Sequence, residues 1–401
     1  MGPGWESHPL SAAPTGLVDH LYVHVPFCRT RCGYCDFASE PLAAHVRSGA
    51  VEAYVEAVLR ELEFAGSWLS RPLATLYVGG GTPTTLPRPA LLRLLAGLAA
   101  LVGPNTEFTV EANPESVEPT LLDELAGVGV TRLSLGVQSF SPVLRGNLGR
   151  RTPLGAVAAA VRTVREVGWP EWSLDVVFGI PGQDTVSLEA DLEAAVSAGP
   201  PHISVYDLTY TEAFAKSIER RLGQGERERA EEFADEAYAG VSESLARAGY
   251  ARYEVSNYAR PGHESRHNLA YWRGCDYVGL GASAVGTVGM TRWTNPRGVT
   301  AYLEGQAPDV EVLSPELRRL ERVMLGLRTA EGVSDDEAAG VVHSAEVERL
   351  LALGLLERRY ATLRMSPRGL DLGNAVLAAV LRSPEEISPV PGRSHSSTPR
   401  V

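Results

Sequence analysis

The sequence predicts an α/β protein: an open six-stranded partial (β/α) barrel followed by a C-terminal α+β domain of winged-helix-like order. Three observations carry this reading. Apolar, β-branched runs recur at about 21–26, 75–79, 107–112, 131–137, 173–179 and 203–208. Stretches with helical spacing separate them, at 51–64, 90–102, 119–126, 154–167 and 187–197. Beyond residue 315 the alternation gives way to helices with short connections and one strand pair. Strands alternating with helices build parallel units with right-handed crossovers, and six repeats are too few to close an eight-stranded barrel.

The chain has 401 residues, 44% of them hydrophobic and 21% charged, which suits one large domain with smaller additions. Its net charge of −12 disfavours a nucleic-acid partner, which needs a basic face. No apolar run reaches the roughly 18 residues that suggest a membrane span, and the first twenty lack a signal-peptide pattern. Four cysteines, three of them clustered, fit a reducing cytoplasm better than a disulfide scaffold. In order, residues 1–18 read as a flexible N-terminus, 19–225 as the barrel, 226–314 as an extension, 315–382 as the winged-helix-like domain and 383–401 as a disordered tail.

The first strand runs into Cys28-Arg29-Thr30-Arg31-Cys32-Gly33-Tyr34-Cys35-Asp36-Phe37. Three thiols at C-x3-C-x2-C spacing can converge on one inorganic centre. A structural zinc site takes four protein ligands, whereas an iron–sulfur cube held by three thiolates leaves one iron open. His24 is a conceivable fourth ligand, although strand alternation sets it near the base of the loop; three idle thiols are the bland alternative.

The later strands each end in polar or glycine residues: Gly79-Gly80-Gly81-Thr82, Glu111-Ala112-Asn113-Pro114, Gly136-Val137-Gln138-Ser139 and Asp175…Gly179-Ile180-Pro181-Gly182. Carboxyl ends of parallel strands share one face, where active sites are built. The glycine triplet is either a tight turn or bare backbone that a ligand can approach. Acids such as Glu111 and Asp175, set in strands, need partners if buried.

The cysteine loop resembles the signature of the radical S-adenosylmethionine (SAM) enzymes, with Tyr34 just before the third cysteine. The resemblance implies a [4Fe-4S] cluster on Cys28, Cys32 and Cys35, with SAM chelating the open iron and cleaved to a 5′-deoxyadenosyl radical on reduction. Over about residues 20–375 the chain is similar to the coproporphyrinogen III dehydrogenase and HemW-type haem chaperone group, through Gly-Gly-Gly-Thr-Pro-Thr, Glu-Ala-Asn-Pro, Gly-Val-Gln-Ser-Phe and Leu148-Gly149-Arg150. By that resemblance Tyr22, Tyr34, Gly80, Gly81, Thr82, Glu111, Gln138, Arg150 and Asp175 surround SAM. Glu111 and Asp175 would take ribose hydroxyls or the amino group, and Arg150 the carboxylate.

Two features favour the chaperone branch. The dehydrogenases carry a further cysteine two residues after the third, where this chain has Phe37. Further on, His267-Asn268-Leu269-Ala270-Tyr271-Trp272 is similar to the HNxxYW haem-binding motif. A neutral imidazole ligates haem iron well, and Tyr271 and Trp272 offer flat apolar surface; a hydrogen-bonded structural histidine is the competing reading. Arg151-Thr152 and Thr211-Glu212-Ala213-Phe214 depart from the family pattern. The resemblance implies a haem acceptor protein and a reducing partner for the cluster, with a homodimer left open. Oxygen-independent coproporphyrinogen III dehydrogenation and a non-catalytic zinc protein are the alternatives. In 315–382 arginines and acids balance, so the winged-helix-like order does not imply DNA.

Overall fold

Six parallel strands form where the apolar runs lie: β1 (His20–Val25), β2 (Thr75–Gly80), β3 (Glu107–Ala112), β4 (Arg132–Gln138), β5 (Glu171–Phe178) and β6 (His202–Asp207). The computed structural model describes residues 8–11 and 16–387. Three short strands absent from the sequence reading extend the sheet: β7 (Ala251–Arg252), β8 (Asn257–Ala259) and β9 (Val278–Leu280). The order is β9-β1-β2-β3-β4-β5-β6-β8-β7, with β9 parallel to β1 and β8 antiparallel to β6. Two- and three-residue strands carry no periodic signal; tertiary pairing makes them, and it covers edges that would otherwise be open.

Within each strand the side chains alternate. Leu21, Val23, Leu76, Val78, Phe108, Val110, Leu133, Leu135, Leu174 and Val176 are buried in the main core. The opposite parity carries Tyr22, His24, Tyr77, Glu111, Ser134 and Asp175; Tyr77 bonds to Glu111 and Ser134 to Asp175 across strands, and Tyr22 to His24 along β1. The helices pack on the apolar side. Leu154–Val167 buries Val157, Ala160 and Val164, and Gly168 closes it at φ 72°. Asp184 and Ser187 form a reciprocal capping box on Thr185–Ala198.

The described residues form two units: one runs to Tyr271 and continues over 275–311, the other holds Trp272–Gly274 and the chain from Val312. Residues 226–311 of the expected extension thus share a unit with the barrel, apart from 272–274. The second unit has its own core around Val323, Leu327, Val347, Leu363 and Val380. Its antiparallel sheet pairs Val333–Ser334 and Leu356–Arg359 with Thr362–Met365. Its helices include the short Asp335–Ala338 and, near its end, Pro367–Asp371 and Gly373–Val380. In the N-terminal segment, His8 and Leu10 are buried and Trp68 Nε1 donates to the Leu10 carbonyl. At the other end, Ile387 joins the second core; residues 388–401 of the expected tail lie outside the described residues. Among the described residues no helix is long and apolar enough to cross a membrane.

Candidate functional site

The carboxyl ends of β2 to β6 and the cysteine loop enclose a cavity of about 370 Å³. Cys28, Cys32 and Cys35 line it, together with Tyr34, Gly80, Gly81, Thr82, Glu111, Gln138, Arg150 and Asp175. One face therefore gathers residues that lie as far as 147 positions apart in the sequence. Tyr22 does not line the cavity; its hydroxyl is 2.9 Å from His24 Nδ1. His24 Nε2 lies 2.8 Å from the Ala38 carbonyl. With both ring nitrogens engaged, His24 is unsuited as a fourth metal ligand.

The glycine triplet is more than a turn. A Cβ on Gly79 would stand 2.6 Å from Glu111 Oε1, one on Gly80 2.3 Å from His24 Cε1, and one on Gly81 2.5 Å from the Phe27 carbonyl. The strand end is closely fitted on three sides, and Gly80 also holds φ 105°. Gln138 reaches the cavity from a β-bulge and has φ 75°, unusual for a residue with a side chain. Arg145, buried behind it, donates to the carbonyls on either side, Val137 and Ser139, and to Thr152. No sequence signal marks this brace.

Charge in the cavity is mixed. Tyr77 donates to Glu111 Oε1 at 2.7 Å and the Gly80 amide to Oε2 at 3.1 Å. Burial still pushes the Glu111 carboxyl up to about 7. Asp175 accepts from Ser134 at 3.2 Å, and burial pushes it up to about 6. Arg150 donates to Asn113 Oδ1 at 2.7 Å, to the Gly136 carbonyl, and to Cys32 Sγ at 3.6 Å. Burial raises the Cys28 and Cys35 thiols above their ordinary range. Asn113, Tyr77, Ser134 and Asp207 also line the cavity, and sequence reasoning had not singled them out as site residues.

The donor set suits a cluster and SAM. The three loop cysteines are free thiols on one cavity wall, and a metal is what overcomes their reluctance to ionise. Among the described residues no three acid, histidine or cysteine side chains are already gathered as a metal site. Two acids and a guanidinium match a ligand that carries both positive charge and a carboxylate.

The haem-motif residues stand elsewhere. His267 lies on the helix Arg266–Trp272 and is 1% exposed. Its Nδ1 is 2.7 Å from Thr75 Oγ1, at the first residue of β2, and the Glu107 carboxylate accepts its backbone N–H at 2.8 Å. The ring stacks on Tyr77 at 5.1 Å and meets Tyr271 edge-on at 4.8 Å. Burial lowers its pKa to about 3, so it is neutral, and Nε2 has no hydrogen-bond partner among the described residues. Trp272 ends the helix, half-buried.

Comparison with known proteins gives the family and the fold. Residues 22–195 match the model of the radical SAM superfamily. The chain is 36% identical to the heme chaperone HemW of Mycobacterium tuberculosis, over 93% of this chain and 96% of that protein. It is 34% identical to heme chaperone HemW of Bacillus subtilis, over 90% and 98%. The fold is shared with the Escherichia coli radical SAM enzyme coproporphyrinogen III oxidase (HemN): TM-score 0.74, 21% identity, 92% of this chain and 91% of that one. Superfamily membership implies the [4Fe-4S] cluster and SAM as cofactors. The chain belongs to the HemW family of the radical SAM superfamily.

Proposed function

We propose that this chain is a cytoplasmic haem chaperone on a radical SAM scaffold. Cys28, Cys32 and Cys35 hold the cluster, the barrel cavity takes SAM, and haem is carried to an acceptor protein. The observation that supports this most is the nearly full-length similarity to proteins named heme chaperone HemW. When bound, cluster and SAM supply one-electron chemistry at the sulfonium. The chain's own residues bind and orient: Glu111 and Asp175 face positive charge and ribose hydroxyls, Arg150 takes the carboxylate, and Gly80, Gly81 and Thr82 line the cavity beside them. A reducing partner for the cluster belongs to the same reading.

The cysteine loop also weighs against the dehydrogenase alternative. Phe37 stands where the dehydrogenases have cysteine, and it is 66% exposed. Anaerobic reconstitution followed by parallel haem titration and coproporphyrinogen turnover tests the reading. Haem binding without turnover is expected; conversion of coproporphyrinogen would overturn it.

Ligation of haem iron by His267 Nε2 calls for the helix Arg266–Trp272 to leave its seat, because the ring faces inward. His267→Ala is expected to weaken haem binding by roughly tenfold or more while the cluster absorbance stays intact. An unchanged haem titration removes His267 from the haem site without touching the cluster assignment.

The raised carboxyls give a pH dependence. Glu111 and Asp175 hold protons up to about 7 and 6, against ordinary values of 4.5 and 3.8. In the ligand-free protein the folded state binds more protons in that window, so their contribution to stability falls as pH rises through it. A cationic ligand prefers the carboxylates. SAM binding should therefore tighten between about pH 5.5 and 7.5 and release protons, seen as buffer-dependent heats in calorimetry. Heats that do not depend on the buffer at pH 6 would contradict this.

A further inference from the structure

The histidine of the HNxxYW motif and the carboxylate at the end of β3 are joined by a single side chain. Tyr77 stands in the middle of β2, in register with Tyr22 on one side and Thr109 on the other. Its ring lies on His267, centroids 5.1 Å apart and 26° from parallel, while its hydroxyl donates to Glu111 Oε1 at 2.7 Å. Below, Thr75 Oγ1 fixes His267 Nδ1 at 2.7 Å, and the Glu107 carboxylate takes its backbone N–H. Above, Gly79 makes the contact possible, since a Cβ there would stand 2.6 Å from both Tyr77 Cε1 and Glu111 Oε1.

From this arrangement we infer that His267 is a positioning residue for the SAM cavity, acting from the foot of the barrel through Tyr77 on Glu111. A phenol hydroxyl can hold a carboxylate in place only if its own ring is held. β2 supplies the backbone of Tyr77, and the flat face of His267 supplies the seat for its ring. With His267 truncated, the ring gains space on that face, and the 2.7 Å bond loses its alignment. Glu111 is then left with the Gly80 amide as its remaining fixed donor. The side chain that the family motif places in haem binding thus has a second task at the opposite end of the strands. The inference rests on the SAM reading of the cavity but not on haem.

The test is a double-mutant cycle on SAM affinity, measured by calorimetry on the anaerobically reconstituted full-length protein, with cluster absorbance as the control. His267→Ala and Tyr77→Phe are each expected to weaken SAM binding on the order of tenfold, the loss of one hydrogen bond to a carboxylate. The double variant should be about as weak as Tyr77→Phe alone, because the histidine acts only through the hydroxyl. A structural role without this route gives independent losses and roughly hundredfold weakening in the double variant. Thr75→Val, which removes the hydroxyl that the His267 and His20 imidazoles share, serves if His267→Ala does not fold. It should weaken binding about two- to fivefold in the wild-type background and leave Tyr77→Phe unchanged. Additive losses, or full SAM affinity in His267→Ala, overturn the inference. Wild-type protein that carries its cluster but does not bind SAM sinks the reading of the cavity, and this inference with it. Haem titration of the same samples reports on the chaperone reading separately.

Discussion

Cys32→Ala protein purified without oxygen is expected to carry essentially no stoichiometric iron or acid-labile sulfide. Two neighbouring thiolates cannot hold a cube, and both nitrogens of His24, the fourth ligand that the sequence offers, are engaged. Cys32 is half-buried in an irregular loop outside the main core. Its truncation should therefore cost about 1 kcal/mol or less of apo-protein stability. Arg150 loses a sulfur acceptor but keeps Asn113 and the Gly136 carbonyl. Cys275→Ala is the control, expected to load iron fully. A Cys32→Ala sample with wild-type iron and sulfide would remove the cluster assignment, and most of the function proposed here with it.

The second large effect belongs to Gly81. Its amide donates to the Val25 carbonyl at 2.8 Å, and the next amide, that of Thr82, to the Phe27 carbonyl at 2.8 Å. An added Cβ would meet the Phe27 carbonyl at 2.5 Å and both the Phe27 amide and the Val25 carbonyl at 2.8 Å. These are backbone atoms, so no rotamer relieves the clash; either β1 or the end of β2 must move. Phe27 is the residue before the first cluster cysteine. Gly81→Ala should cost about 3 kcal/mol or more, the upper range for an overpacked site. It should also lower the iron content and weaken SAM binding by more than tenfold. Thermal unfolding and calorimetry check both; a Gly81→Ala protein with wild-type melting temperature and SAM affinity would show that the strand end is looser than these distances.

Much of the site is legible in the chain because its chemistry is local. Three thiols within eight residues announce an inorganic centre whatever the fold. Glu111 and Asp175 stand out as acids in otherwise apolar strands, and the glycines before Thr82 interrupt a β-branched run. Tyr77 carries no such mark. Tyrosine within a strand reads as core, and only the convergence of β2 and β3 gives it Glu111 as a partner. Arg145 is similar: an arginine in a short helix reads as surface, yet the fold buries it under the bulge at Gln138.

The motif around His267 divides the two kinds of information most sharply. Its residue types point to a neutral imidazole with aromatic neighbours, and pattern alone cannot say whether that ring faces solvent or core. A seven-residue helix with few periodic positions leaves its orientation to whatever it packs against. Glu107 and Thr75, some 160 and 192 positions away, draw it into the barrel.

By itself, then, the amino-acid sequence determined the six β/α repeats, the cysteine trio and the polar strand ends, because period, spacing and composition are properties of neighbouring residues. The tertiary structure alone decided the edge strands β7 to β9, the brace behind Gln138, the exclusion of His24 as a ligand and the inward seat of His267. Each of these depends on which distant backbone groups need partners and which side chains fill the space between strands. Those quantities exist only once the sheet has formed.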